Sequence, residues 1–347
     1  MFAIYTFTHL NDAMLTRCSQ ATPPIERSIS QRAPDTLKLG SKFLCKKLRR
    51  DEVTNGIVSW EDTDGRFCLV EGDSELSLSE QPLGDLLHQA GTSSAVWVIG
   101  SNAVCKVKTW TDGAEMESNT LAFVKANFPN IPVPDVIYAW LDEKLSRTFL
   151  ILKRVKGNTL AQAWPSLTQE MRDSIASTVA QYCPELTAFI SEKFQSATGH
   201  GVLEPFLNVR AKESHPSWKP RLLGPMSSSS HQSYLQRISK LYKPPVTAAS
   251  HFYHADLGPT NLLISDDGKI KAILDWESAG FYPKYWVTLK PYMSLGFCLP
   301  VADDRYAWAD LLIAKLAEKG FVLDMACVEW YKDLDLGFFD TDMFLDG

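Results

Sequence analysis

The segment from Phe252 to Phe281, FYHADLGPTNLLISDDGKIKAILDWESAGF, places His254, Asp256, Asn261 and Asp275 around two short apolar runs. Ionisable groups beside apolar strands lower stability unless something pairs with them, so the arrangement asks for a chemical reason. Asp256 precedes Asn261 by five residues, and Asp275 follows Asn261 by fourteen, across the turn DDG. If NLLIS and KIKAILD pair as antiparallel strands, Asn261 enters the first and Asp275 leaves the second, so their side chains can converge at one end of the sheet. A carboxylate and an amide oxygen meeting there make a hard-oxygen site suited to Mg²⁺, which keeps several waters and takes phosphate oxygens as further ligands. Asp256, on the loop before the first strand, is placed to orient a substrate hydroxyl and receive its proton. Each residue taken singly also has an ordinary role as turn cap, backbone partner or strand end. The spacing of the whole set favours chemistry. His254 reads as a hydrogen-bonded histidine that braces the loop, with direct acid-base work as the alternative.

The elements that must position this set are legible from residue 86 onward. SAVWVIG and NAVCKVKTW, separated by the turn-forming GSN, read as a β-hairpin preceded by the small-residue loop QAGTSS. DGAEMESNTLAFVKANF follows with a partly apolar helical face through Met116, Leu121 and Val124, and PNIPVP stops it. DVIYAWLDE and RTFLILKRV supply two more strands, which completes a small antiparallel sheet with one helix. Next comes a long helix through Leu167, Met171, Ile175, Val179 and Leu186, capped by Ser166 or Thr168. Residues 195 to 250 are rich in Gly, Ser and Pro, so PMSSSSHQS suggests a mobile loop ahead of a helix in SYLQRISKLY. DDRYAWADLLIAKLAEKG reads as a late helix with an Asp cap and a stop at Gly320. Residues 1 to 85 are the least readable part, although RFCLVEG has the composition of a strand.

Size and composition narrow the function. A chain of 347 residues with 45% apolar content suits two unequal cores with a cleft between them. The net charge of -6 supplies no basic surface for a phosphate backbone, so nucleic acid is an unfavoured partner. The seven cysteines, Cys18, Cys45, Cys68, Cys105, Cys183, Cys298 and Cys327, form no metal-ligand cluster, and their odd number argues against a full disulfide framework. Reduced thiols in a cytoplasmic setting are the expectation. The apolar start lacks the basic residues and cleavage pattern of a signal peptide, and no apolar window reaches membrane-spanning length.

HADLGPTNLLI followed by ILDWESAG resembles the catalytic loop and metal-binding aspartate of the aminoglycoside phosphotransferase family, within the protein-kinase-like fold. The resemblance extends through NAVCKV, Glu117 in EMESNTLAFV, PVPDV and FLILKRVKGNTLAQAW, covers roughly residues 90 to 290, and is similar in flavour to a fungal branch of uncertain substrate. It implies an α+β bilobal fold: an N-terminal extension over 1–85 packed on the small lobe, a small antiparallel-sheet lobe over 86–152, a linker at 153–155, and a mainly helical lobe over 156–347. The family pattern makes Asp256 the catalytic-loop aspartate, Asn261 and Asp275 the metal ligands, and Lys106 the phosphate-reaching lysine held by Glu117. A lysine between apolar neighbours needs such a partner. Lys108 and Glu115 are the competing choices. Backbone groups of Lys153 to Val155 would read the adenine edge, Leu152 would pack near the ring or simply in the core, and Gly91 would lie in the nucleotide-covering loop, which lacks a repeated-glycine fingerprint.

Two departures stand out: Ala255 where the family often has Gly between His and Asp, and Thr260 where Gly commonly precedes the Asn. Ala would be strained there if the backbone needed positive φ. The resulting expectation is an enzyme that uses ATP and Mg²⁺ to phosphorylate a hydroxyl of a small molecule, with no protein or membrane partner implied. Glu277 could face the acceptor or form a salt bridge. The acidic Glu329, Asp333, Asp335, Asp340 and Asp342 could favour a cationic acceptor or form a solvated surface. Rival readings are an aminoglycoside kinase, a nucleotide-binding pseudokinase or scaffold, and a protein kinase, although HRD, DFG and APE are missing.

Overall fold

A computed structural model describes residues 24–72, 81–82, 86–207 and 221–334. The first strands are β1 (Ile29–Ala33), β2 (Thr36–Leu39), β3 (Phe43–Leu48), β4 (Val58–Asp62), β5 (Gly65–Glu71) and β6 (Gln81–Pro82), where β5 is the RFCLVEG segment. They form an antiparallel sheet in the order β4-β5-β3-β2-β1-β6. Its strands mix charged and apolar residues, yet Leu37, Leu39, Phe43, Cys45, Trp60, Phe67 and Leu69 are all buried.

What buries them is a second sheet of β7 (Leu86–Ala90), β8 (Ser94–Ile99), β9 (Ala103–Thr109), β10 (Val136–Asp142) and β11 (Arg147–Lys153), in the order β10-β11-β9-β8-β7. Side chains alternate across a strand. Trp97, Ile99, Cys105, Val107, Phe149 and Ile151 therefore face the first sheet and share one core with it. The opposite face, with Val96, Lys106, Lys108 and Leu150, is left for the rest of the chain. Trp140 stacks on Phe149 with centroids 4.7 Å apart and meets Phe43 edge-on at 4.8 Å.

Polar pins at the hairpin turns fix how the sheets sit together. Fully buried Asp142 accepts hydrogen bonds from Ser41 N–H (2.6 Å), Ser41 Oγ (2.8 Å) and Leu145 N–H (3.1 Å). Gly40 in this turn has φ +63°, and a Cβ there would lie 2.4 Å from Asp142 Oδ2, so only glycine fits. Asp62 likewise accepts from Ser101 N–H at 2.8 Å.

Helix α1 (Glu117–Asn127) packs Leu121 and Val124 inward, whereas Met116, expected on its apolar face, is extended and precedes the first turn. After β11 come β12 (Asn158–Thr159), α2 (Leu160–Ala163) and α3 (Gln169–Thr187), the last capped by Thr168. Then follow β13 (Ile190–Ser191), β14 (Lys193–Ser196), β15 (Met226–Ser227) and α4 (Ser228–Ile238). The serine run expected to be a mobile loop is instead a helix start: Ser227 accepts from Ser230 N–H, and serine's aptitude for capping was the signal. The remaining elements are β16 (Ser250–Tyr253), β17 (Leu262–Ile264), β18 (Ile270–Ile273), β19 (Gly280–Pro283), α5 (Trp286–Met293), α6 (Ala307–Glu318) and α7 (Met325–Lys332). Helix α6 ends before Gly320 as its sequence suggests, but no aspartate side chain caps its start. Asp304 instead accepts a hydrogen bond from Trp164 Nε1 at 3.1 Å, which anchors α2 to the α6 approach. This larger lobe has its own core, with Trp164, Trp276, Trp286, Trp308 and Trp330 all buried. No helix among the described residues is long and apolar enough to cross a membrane.

Replacing Asp142 with Ala leaves three donors without their acceptor between the sheets. We expect this to lower stability by about 1–3 kcal/mol in urea unfolding; an unchanged midpoint would show that the pin contributes nothing.

Candidate active site

Strands β17 and β18 form the antiparallel hairpin that the spacing anticipates, and Leu274 N–H donates to Asn261 O at 2.8 Å across its open end. Asn261 and Asp275 thus flank the same end of the hairpin. Asn261 Nδ2 donates to the Asp256 carbonyl (2.9 Å) and to Asp256 Oδ2 (2.8 Å), which ties the loop to the strand and leaves the Asn261 side-chain oxygen as an acceptor. Burial raises the Asp256 carboxyl to about 6, against the pull of the nearby Lys290 ammonium.

His254 is fully buried and sits edge-on to Trp276 at 4.5 Å. Its Nδ1 accepts from Asp256 N–H at 3.1 Å and its Nε2 faces Leu274 O at 3.0 Å, a pattern that suits the neutral ring protonated on Nε2. Burial lowers its pKa to about 4. The ring spans the Asp256 loop and the strand leading to Asp275, as a brace does. Ala255 between them has φ +64°, so the strain that an alanine would suffer in place of glycine is present here.

Lys106 enters from β9 in the smaller lobe. Its Nζ donates to Glu117 Oε2 (2.7 Å) and Asp275 Oδ1 (2.5 Å), with Glu277 Oε2 at 3.3 Å. Burial alone would lower its pKa, but Asp275, Glu117 and Glu277 outweigh it and hold the ammonium well above its usual value. For Asp275 burial pushes upward, yet Lys106 and Lys108 prevail and bring it down to about 2. Burial keeps Glu117 raised despite its bond to Lys106. Glu117 also accepts from Trp276 N–H at 3.2 Å, so helix α1 grips the backbone next to Asp275 directly. Asp275 has φ +62°, a backbone twist that turns its carboxylate out of the strand line.

Lys108, the competing lysine, pairs with Glu277, and Glu277 therefore spans both lysines. One ligand atom from each of Glu117, Asp275 and Glu277 lies within 4.8 Å of the others. These carboxylates are the kind of donor a hard divalent cation takes, whereas the Asn261 side chain bonds to Asp256. A narrow cavity of about 50 Å³, lined by Lys106, Lys108, Trp110, Glu117, Leu203 and Glu277, adjoins the cluster and has room for a few waters.

Other expected positions are peripheral to this cluster. Gly91 has φ +54° in the tight turn between β7 and β8, a shorter connection than QAGTSS suggests because Gln89 and Ala90 belong to β7. Leu152 is buried in the larger core. The N–H groups of Lys153 and Arg154 donate to Asp135 O and Asn102 O, and the Lys153 side chain pairs with Asp135 in solvent. Among the acidic residues near the C-terminus, Asp333 accepts from three consecutive N–H groups, Lys240 to Tyr242, and Glu329 pairs with Lys332. Asp335, Asp340 and Asp342 lie outside the described residues.

Sequence reasoning missed the ion pair of Glu204 and Lys290. Lys290 Nζ donates to both Glu204 carboxylate oxygens at 2.7 Å, deep in the larger lobe, while Trp286 Nε1 and Phe206 N–H satisfy the same carboxylate. The available signal was a lysine inside the apolar helix WVTLKPYM. Its partner, 86 residues earlier, had none.

Two packed antiparallel sheets with one helix, beside a larger lobe that carries the other helices, define a bilobal α+β protein of the protein-kinase-like class. The sequence profile of the phosphotransferase enzyme family matches residues 87–285, more than half of the chain, and the chain belongs to that family. No curated protein matches it. Among solved structures, aminoglycoside-3'-phosphotransferase of type VIII is 17% identical, with 72% of this chain and 91% of that one covered at a TM-score of 0.44. Aminoglycoside phosphotransferase APH(4)-Ia with AMP-PNP and hygromycin B is 18% identical, with coverage of 75% and 90% and a TM-score of 0.42. The streptomycin-ATP complex of APH(2")-IIa is 13% identical, with coverage of 70% and 79% and a TM-score of 0.42.

Two outcomes follow from the loop geometry. Ala255→Gly should stabilise the protein, by up to about 1 kcal/mol in urea unfolding, the reverse of the usual effect of that change; a loss of stability would contradict the left-handed backbone. An acid whose pKa is raised on folding contributes stability at low pH that is lost as pH rises through the folded value. Asp256 does so between its usual 3.8 and about 6. Relative to the wild type, Asp256→Asn should therefore gain about 2–3 kcal/mol between pH 4 and pH 7, and a pH-independent difference would refute the raised carboxyl.

Proposed function

We propose that this chain transfers the γ-phosphoryl group of ATP to a hydroxyl of a small molecule. The observation that carries the reading is the meeting of Lys106, Glu117 and Asp275 beside the loop of Asp256 and Asn261. Asn261 and Asp275 would hold Mg²⁺, which when bound supplies positive charge to the phosphate oxygens. Lys106, kept charged by its acidic neighbours, binds the α- and β-phosphates in exchange for part of its contact with Asp275. Glu117 holds the lysine in place during that exchange. The linker carbonyls, the Val155 N–H and the Leu152 side chain form the adenine side.

Asp256 keeps one oxygen on Asn261 and turns the other toward the acceptor, orienting the hydroxyl and taking its proton. A carboxyl poised near 6 is ionised at neutral pH yet basic enough to accept that proton. Most of the rate then comes from alignment and charge stabilisation. His254 fixes the loop and stays neutral. The division at residues 85, 152 and 155 into extension, nucleotide lobe, linker and acceptor-bearing lobe belongs to this proposal.

The test is incubation of the purified full chain with ATP, Mg²⁺ and a metabolite extract supplemented with aminoglycosides, followed by mass spectrometry for products heavier by a phosphoryl group. Asp275→Ala should abolish Mg²⁺-dependent nucleotide binding. Asp256→Asn should keep nucleotide binding and lose transfer by about 100-fold or more. Full transfer in Asp256→Asn, or nucleotide binding with unchanged metal dependence in Asp275→Ala, would reject the assignment.

A further inference from the structure

Glu115 lies two residues ahead of Glu117, on the chain that leads into α1, and its carboxylate reaches across to the other lobe. Its Oε2 accepts from Ser196 Oγ (2.9 Å), Thr198 N–H (3.0 Å) and Thr198 Oγ1 (2.6 Å), while its Oε1 accepts from Asn119 Nδ2 (3.0 Å) on the first turn of α1. Beside it, Gly201 N–H donates to Gly113 O at 2.9 Å, and Ala114 and Gly201 form a parallel bridge. A Cβ on Gly201 would come within 3.0 Å of Leu222 and 3.3 Å of Gly113 O, so the two backbones meet as closely as they do because that residue is glycine.

The receiving segment is itself tied to the site. Ser196, almost fully buried, pairs with Gly280 where β14 runs against β19, shortly after Asp275 and Glu277. Further along, Glu204 is fixed by the buried Lys290. One strap, residues 196 to 204, thus joins the strand following Asp275, the core of the larger lobe, and the approach to the helix that carries Glu117.

The geometry points to Glu115 as a positioning residue: through Ser196 and Thr198 it sets the placement of Glu117, and so of Lys106, against the Asp275 segment. This rests on the proposed nucleotide site for its consequence, but not for its structural content. Four hydrogen bonds to one carboxylate, three of them from the strap, hold α1 more firmly than the Glu117 contact with Trp276 N–H could alone.

The experiment has two arms on the full chain. Hydrogen exchange without nucleotide should show faster exchange at 117–121 and 276–279 in Glu115→Ala, unchanged exchange in α3, and near wild-type behaviour in Glu115→Gln, which keeps an accepting oxygen. Calorimetry with Mg²⁺ and ADP should show binding weakened roughly tenfold in Glu115→Ala and within about threefold in Glu115→Gln. Wild-type exchange in Glu115→Ala overturns the inference. Faster exchange with ADP binding within twofold of wild type overturns the positioning role as well. If the wild type itself binds no ADP, the nucleotide reading fails and exchange alone decides the strap. Should Glu115→Ala not fold, Thr198→Ala removes one strap contact and is judged by the same two measurements.

Discussion

The arrangement turns on one ammonium group. Lys106 is largely buried on a strand of the smaller lobe, where an unpaired charge would be destabilising. Glu117, Asp275 and Glu277 answer it from a helix of the same lobe and from the end of a hairpin in the other. Satisfying that single group forces strand, helix and hairpin to meet at one point. Without the lysine, Glu117 and Asp275 lose their ammonium partner and Glu277 keeps only Lys108. The two lobes are held in register by the same contacts that form the candidate site.

Around this cluster the fold supplies support from two sides. His254 and Asn261 fix the loop that carries Asp256, one through an imidazole between backbone groups and the other through an amide bonded to both the backbone and the carboxylate. The buried pair of Glu204 and Lys290 stiffens the larger lobe beneath them, and the positive end of that pair moderates how far burial lifts the Asp256 carboxyl. The geometry of the candidate site carries some backbone strain at Ala255 and Asp275, both held in left-handed conformations.

Much of this was legible because it is local. The hairpin carrying Asn261 and Asp275, the strands on either side of Lys106 and the helix of Glu117 each announce themselves in a short window through alternation, turn residues and apolar spacing. Ala255 was legible as a question: its φ could not be read, but the cost of one sign of φ could. What stayed hidden is long-range. Asp142 meets Ser41 across 101 residues, Glu115 meets Ser196 across 81, and Glu204 meets Lys290 across 86. A carboxylate in such a pair looks like any surface acid until the fold delivers its partner. The serine run that starts α4 and Asp304 ahead of α6 failed differently, since residues that cap helices also favour loops and only packing decides between the two.

The first sheet changes what counts as the working unit. Trp97, Ile99, Cys105, Val107 and Phe149 belong to the segment that the family profile covers, yet their cover comes from strands before residue 72. A fragment cut at the profile's edge would present a broad greasy slab to water and would clump with its own copies. Designers of shortened versions must carry the leading strands along. Swapping this small lobe onto a relative's large lobe means transplanting a sandwich, not a sheet.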